Sequence, residues 1–280
     1  MGRKRAGNTR TLLFLLAVPL GMLLVWVAGC DKITSTFRSL RKTVTAKKEH
    51  GSVHAPKRVA AGPKLAILLD DLGSDPEAAE AAFALHEPLT VSVLPFHPHS
   101  TEIAEEAKRR GVEVMLHLPM QAVGNELPEP QQLHTGMSEA EVEDELSRML
   151  ANVPTAVGVN NHEGSLATTD PKLMAELMPL LKQRSLYFVD SRTTAATVAF
   201  DTAQQVGLRC GFRNVPFLDD VEEVGAIRKQ IELAIHGAEE KGEAIAIGHP
   251  HKETLEALRE MLPRAKGRGV QLVFVSDVVK

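Results

Sequence analysis

Cysteine is nearly absent from this chain: Cys30 and Cys210 are the only two among 280 residues. Cys30 closes an N-terminal targeting segment; if it is lipidated, Cys210 has no partner left and no intramolecular disulfide can form. Cys210 lies in an apolar, strand-like run and reads as a small core residue. Stability must therefore come from a buried core. A composition of 44% hydrophobic and 24% charged residues is that of ordinary globular material, enough to build one. Aromatics are scarce as well. One Trp, one Tyr and nine Phe leave little flat surface for stacking on a ligand. No glycine-rich loop follows any strand candidate, and Asp70-Asp71-Leu72-Gly73 lacks the glycine spacing of a nucleotide or dinucleotide site, which argues against a cofactor-binding Rossmann domain. Positive charge is missing from the body: residues 63–280 hold 20 basic against 34 acidic residues, a net of −14. Such a surface is a poor partner for nucleic acid, whose phosphates need basic contacts.

The basic residues missing from the body are concentrated at the N-terminus. Arg3, Lys4, Arg5 and Arg10 precede or open an uncharged run from Thr11 to Gly29, which ends Val27-Ala28-Gly29-Cys30. Residues 1–30 are a targeting segment and stand outside the fold. The pattern resembles a bacterial lipoprotein signal, in which the cysteine is lipidated and becomes the new N-terminus. The run is also long enough to span a bilayer uncleaved. In both cases the preceding charge keeps that end inside and exports the rest, which places the chain in the cell envelope, attached to a membrane through an N-terminal lipid or anchor. Asp31, directly after the cysteine, resembles the signal that retains lipoproteins on the periplasmic side of the inner membrane. Residues 31–62 carry a net charge of +6 and no hydrophobic periodicity. They read as a flexible basic linker, suited to lie near anionic head groups or to be a solvated tether.

From residue 63 onward, strand and helix signals alternate to the end of the chain. Strands are predicted at 64–70, 89–95, 112–118, 155–159, 185–190, 207–211, 243–248 and 270–275. Helices are predicted between them at 76–85, 101–110, 139–151, 171–183, 195–205, 221–240 and 252–267. Asp75-Pro76 and Asp170-Pro171 each set a capping acid before a proline in the first helical turn, and Ser138 with Glu141 forms a capping box. Eight strands alternating with seven helices give an α/β fold, either a (β/α) barrel or an open doubly wound sheet. Residues 119–137 form the one long loop, the kind of segment that often covers a site.

Unusual polar residues collect where the strands end. The apolar run Leu65–Leu69 meets two adjacent carboxylates, Asp70 and Asp71. Read alone, that pair is as much a turn acid beside an N-cap as a site; like charges side by side need a reason, such as a metal. The second, third, fourth, fifth and seventh strands lead to His97 and His99, to His117, to Asn160-Asn161-His162, to Asp190-Ser191-Arg192 and to His249-Pro250-His251. In a parallel barrel these ends share one rim, and acids with histidines from several strands make a metal-site or acid/base pattern.

Taken in order, Leu69-Asp70-Asp71-Leu72-Gly73, His117-Leu118-Pro119-Met120, Gly158-Val159-Asn160-Asn161-His162-Glu163-Gly164-Ser165, Asp190-Ser191-Arg192-Thr193 and Ile247-Gly248-His249-Pro250-His251 resemble the divergent polysaccharide deacetylase family over roughly 64–279. The resemblance implies a distorted (β/α) barrel of seven to eight parallel strands and a metal-dependent carbohydrate esterase that removes acetyl groups from a glycan. Carried over, Asp70 is the general base and His249 the general acid. Asp71, His117 and His162 hold a divalent metal, Zn²⁺ by the chemistry of that set. In the wider group a second histidine stands four residues after the first; here Gln121 occupies that position, and His162 supplies the missing imidazole from a neighbouring strand. Asn161, Asp190, Arg192 and His251 are expected to bind substrate, with Asp190 and Arg192 as a salt-bridged pair. A barrel of weak activity that binds envelope glycan or protein partners is the alternative.

Overall fold

A computed structural model describes residues 62–124 and 129–280. The targeting segment, nearly all of the linker and residues 125–128 of the long loop lie outside the described residues. The elements are β1 (Lys64–Leu72), α1 (Pro76–Phe83), β2 (Thr90–Val93), α2 (Ser100–Arg109), β3 (Glu113–Met120), α3 (Glu139–Asn152), β4 (Gly158–Glu163) and α4 (Pro171–Gln183). They continue with β5 (Tyr187–Asp190), α5 (Ala199–Gln205), β6 (Cys210–Phe212), α6 (Val224–Lys241), β7 (Glu243–Gly248), α7 (Lys252–Gly267) and β8 (Gln271–Val273). Among the described residues no helix is long and apolar enough to cross a membrane.

All strand pairings are parallel, in the order β6-β5-β4-β3-β2-β1-β7, with β8 beside the first half of β1. The sheet curls into a nearly closed barrel. Its open seam, between β6 and β7, is stitched by the chain that follows β6. Asn214 N–H donates to Ile245 O (2.9 Å), Ile245 N–H donates to Asn214 Oδ1 (2.6 Å), and Leu218 N–H donates to Ile247 O (2.8 Å).

The strand period of two sorts side chains between the two faces of this wall. Leu65, Ile67 and Leu69 of β1 join the large outer cluster beneath the helices. Ala66 and Leu68 join a smaller cluster with Met115, Val189, Ile245 and Ile247 inside the barrel. The next inward position along each strand is then Asp70, His117, Ser191 and His249. The lower barrel is thus filled with apolar side chains, and the upper end, where the strands finish, is lined with polar ones.

The lower end is closed by the C-terminal turn, whose Val275, Val278 and Val279 enter the inner cluster. Glu113 Oε1 accepts from Tyr187 Oη (2.9 Å), Thr90 Oγ1 (2.9 Å) and Ser276 N (3.1 Å), so the buried Tyr187 ring is held by its hydroxyl. Gly158 lies against that ring, and a Cβ there would overlap it. Gly158→Ala is expected to cost about 1–3 kcal/mol of stability by overpacking, read as a lower denaturant midpoint at unchanged slope.

Several predicted boundaries move. β1 runs to Leu72, β3 to Met120 and β4 to Glu163, each past the polar residues that had signalled a strand end. His117 pairs with Asn160, Leu118 with Asn161 and Pro119 with His162, so backbone pairing continues through the polar segment. Helix α5 starts at Ala199 rather than 195, because the Asp190 carboxylate holds the preceding turn through Thr197 Oγ1 (2.9 Å) and Phe200 N (3.3 Å). β8 stops at Val273, and a 3₁₀ turn takes residues 275–277.

Candidate metal centre

The three predicted ligands converge. Asp71 Oδ1 lies 3.1 Å from His117 Nε2 and 3.0 Å from His162 Nδ1, and the two nitrogens are 3.2 Å apart. These three atoms could hold one metal ion. A tetrahedral site with bonds of about 2.0–2.1 Å places its donors about 3.3 Å apart, so the spacing fits. Each donor comes from a different strand end. His117 is buried on β3 and His162 is half-buried on β4. Asp71 sits on a bulge between Leu69 and Leu72 with φ 60°, a conformation that costs energy in a residue other than glycine. That twist sets Asp71 beside the two imidazoles, while Asp70 points into the barrel.

Asp71 Oδ1 is buried, and although two nitrogens lie close, neither contact has hydrogen-bond geometry. A buried carboxylate oxygen without a donor calls for a cation. Burial works against ionisation of Asp71, but the adjacent His117 and His162 outweigh it and hold the carboxyl well below the usual carboxylate range. His117 moves the other way. Burial opposes its charge, yet Asp70 and then Asp71 raise its pKa above that of an ordinary imidazole.

Asp70 is fully enclosed. Its Oδ2 lies 3.7 Å from His117 Nε2, and both its oxygens accept from Asn160 Nδ2 at 3.0 Å. Burial, with the nearby Asp71 charge, raises its pKa against the opposing pull of His117, His249 and Asn160. His249 approaches from the far side with Nε2 3.6 Å from Asp71 Oδ2. Its Nδ1 lies 2.9 Å from Asp219 Oδ1, while Asp219 Oδ2 accepts from His249 N (2.6 Å) and Thr254 Oγ1 (2.8 Å). Burial disfavours the imidazolium, but Asp219, followed by Asp71 and Asp70, pushes the His249 pKa up to about 9. Phe217 packs on the His249 ring with centroids 5.7 Å apart.

The remaining predicted residues fall differently. Asp190 and Arg192 are not an ion pair. Asp190 accepts from Arg192 N (2.8 Å) and from the α5 turn, so its carboxylate is used within the fold. The Arg192 guanidinium lies 3.5 Å above the Phe212 ring and borders an open cavity of about 510 Å³ with Thr197 and Asp201. Asn161 is buried, its Oδ1 accepting from Ser191 N (2.9 Å) and its Nδ2 donating to Glu163 O (2.8 Å), which leaves little for a ligand. His251 is exposed and stacks on His249 at 5.6 Å. Gln121 points away: its Oε1 accepts from Thr135 N (3.1 Å) and Thr135 Oγ1 (3.2 Å), fastening the long loop.

The sequence pointed to neither Asp219 nor Arg213, and it gave Asn160, though part of the rim motif, no role of its own. Arg213 donates to Ser191 O (2.8 Å), Val215 O (2.6 Å) and Arg192 O (3.0 Å) and so ties the end of β5 to the seam. Asp219 stands in an irregular segment 30 positions from the histidine it holds, and no spacing rule links them.

The sequence model of the family described as "divergent polysaccharide deacetylase" matches residues 67–279. An uncharacterised Haemophilus influenzae protein is 40% identical over 215 residues, covering 77% of this chain and 76% of its own. The crystal structure of an uncharacterised Agrobacterium tumefaciens protein superposes with a TM-score of 0.75 at 25% identity, over 80% of this chain and 92% of the other. The catalytic domain of a peptidoglycan N-acetylglucosamine deacetylase from Eubacterium rectale shares the fold, with a TM-score of 0.50 at 13% identity over 77% of this chain and 90% of the other.

Proposed function

Because this chain belongs to the divergent polysaccharide deacetylase family, we propose that it is a metal-dependent hydrolase that removes acetyl groups from an envelope or exported polysaccharide. The observation that carries the proposal is the convergence of Asp71 Oδ1, His117 Nε2 and His162 Nδ1, with one further acid and one further imidazole at its edge. Two nitrogens and one carboxylate oxygen are a donor set suited to Zn²⁺. When bound there, such an ion supplies Lewis acidity, lowering the pKa of water and polarising an acyl carbonyl.

The protein's own groups handle the protons. Asp70, raised by burial and beside the ligands, takes the proton from the attacking water. His249, kept protonated near neutral pH by Asp219, presents Nε2 to the leaving nitrogen or oxygen and gives it a proton. The acyl C–N or C–O bond breaks, releasing acetate and a free amine or alcohol on the sugar. Asp219 fixes the tautomer and orientation of His249 in this step. The cell-envelope location and membrane attachment rest on residues 1–62, through a lipidated Cys30 or an uncleaved Thr11–Gly29 span.

The test is acetate release from acetylated oligosaccharides by the detergent-solubilised full chain, with zinc content measured alongside. We expect about one zinc per chain, loss of acetate release on chelation and recovery on adding zinc back. Asp70→Asn is expected to retain the metal and to lose roughly 10²–10⁴-fold in rate, the range for a positioned general base. Release that survives chelation, or is unchanged in Asp70→Asn, refutes the mechanism.

A further inference from the structure

Asn160 has no role in the chemistry above, yet it is completely buried among the groups that carry it. Every polar valence of its amide is used. Nδ2 donates to Asp70 Oδ1 and Oδ2, both at 3.0 Å, and to Ser191 Oγ at 3.1 Å. Oδ1 accepts from Ser92 Oγ and lies 3.0 Å from His117 Nδ1.

The orientation of this amide follows from its partners. To act as the base Asp70 must be ionised, and an ionised carboxylate only accepts hydrogen bonds, so the nitrogen end faces Asp70. The oxygen end then faces His117 and Ser92. An amide oxygen cannot donate, so the hydrogen between it and the imidazole belongs to His117 Nδ1. With Nδ1 protonated, the lone pair of the neutral ring sits on Nε2, the atom 3.1 Å from Asp71 Oδ1. Outer hydrogen bonds of this kind fix which nitrogen of a ligating histidine meets the metal. The same amide, through its other end, holds the carboxylate of Asp70 in place.

We infer that Asn160 is a positioning residue with two separable duties: its oxygen sets His117 to ligate a cation through Nε2, and its nitrogen orients Asp70. The inference rests on the reading of Asp71, His117 and His162 as a cation site. It assigns no contact with substrate to Asn160.

Two variants separate the duties. Asn160→Asp keeps an oxygen facing His117 and Ser92 but replaces the donor toward Asp70 with an acceptor. Asn160→Leu removes both ends. Zinc affinity is read by competition with a chromogenic chelator, and acetate release is read on the same samples. Asn160→Leu is expected to bind zinc ten- to a hundredfold more weakly than wild type, the usual effect of losing an outer partner of a ligand. Asn160→Asp is expected to stay within about threefold of wild type in zinc affinity while losing at least tenfold in kcat, since the donor that orients the base is gone.

Wild-type affinity in Asn160→Leu overturns the inference, as does an equal loss of affinity in the two variants, which marks a packing role. If Asn160→Leu does not fold, nitrogen NMR of the zinc-loaded wild-type chain decides the His117 duty: a protonated His117 Nδ1 supports it and a protonated Nε2 refutes it. A wild-type chain that binds no zinc refutes the metal reading itself, a result distinct from any difference among the variants.

Discussion

Asp71→Asn is expected to abolish the response of thermal stability to zinc. A ligand bound at a hundred times its Kd stabilises the folded chain by about 2.7 kcal/mol, so the wild-type unfolding temperature should rise with added zinc and that of the variant should stay where it is. Asparagine has the shape of aspartate and accepts a left-handed backbone readily. The φ of 60° at this position is therefore no obstacle to folding, and the effect isolates the lost charge. The metal-free chains differ as well. The Asp71 carboxyl titrates well below its ordinary range because of the neighbouring imidazoles. A depressed carboxylate pKa contributes stability that is present above the unfolded-state value, about 3.9, and is lost as pH falls. The metal-free variant should thus be less stable than wild type at neutral pH, and the gap should close in acid. Scanning calorimetry at neutral and acidic pH, with and without zinc, checks both statements. A zinc-dependent shift that persists in Asp71→Asn would falsify the assignment of Asp71 as a ligand.

The alternation of apolar runs with capped amphipathic segments was enough to read an α/β fold with a parallel sheet, because each strand of the β1 kind is buried on both faces and each helix on one; that the sheet closes into a barrel came from the family resemblance. The ends of the strands were harder to place. At Asn160-Asn161-His162 polarity suggests a loop, yet the backbone keeps pairing with β3 and the side chains find partners inside the barrel. Polarity signals a strand end only when the barrel interior is apolar, and here its upper half is not. That acids and histidines gather on one rim was legible from residue type and chain order, and the set Asp71, His117 and His162 came through the family resemblance. The direction of each side chain was not legible. Asp190 and Asn161, both expected at the substrate, turn into the fold because a turn before α5 and the backbone after β5 need acceptors there. Asp219 carries no local signal at all: it matters through His249, and only the closing of the seam brings the two together.

Asp219→Asn should narrow the alkaline range of activity and lower its maximum. His249 holds its proton up to about pH 9 in the wild-type fold, with Asp219 the foremost of the groups that outweigh burial. A cation at Asp71 compensates the charge of that carboxylate, and the Asp219 contribution remains. An amide in its place carries no charge, and its nitrogen meets either the His249 ring or the two donors now bound to Oδ2, His249 N and Thr254 Oγ1. The imidazole pKa then falls toward its ordinary value, about 6.5. At pH 8 the protonated fraction drops from about nine-tenths to about one-thirtieth, roughly a thirtyfold loss of general acid, and misorientation of the ring adds to it. The acidic limb of the profile, set by the buried Asp70 and lying above the ordinary carboxylate range, should not move by a comparable amount. Stability follows the same pair with a definite sign. A raised histidine pKa stabilises the fold fully below the unfolded-state value of about 6.5, and this contribution is lost as pH rises through about 9. The stability gap between wild type and Asp219→Asn should therefore shrink between those limits, leaving at higher pH only the cost of the disrupted hydrogen bonds to His249 N and Thr254. Rate profiles and denaturant midpoints from pH 5 to 10 measure the two effects together. An alkaline limb that stays in place in the variant would show that His249 does not depend on Asp219 for its proton.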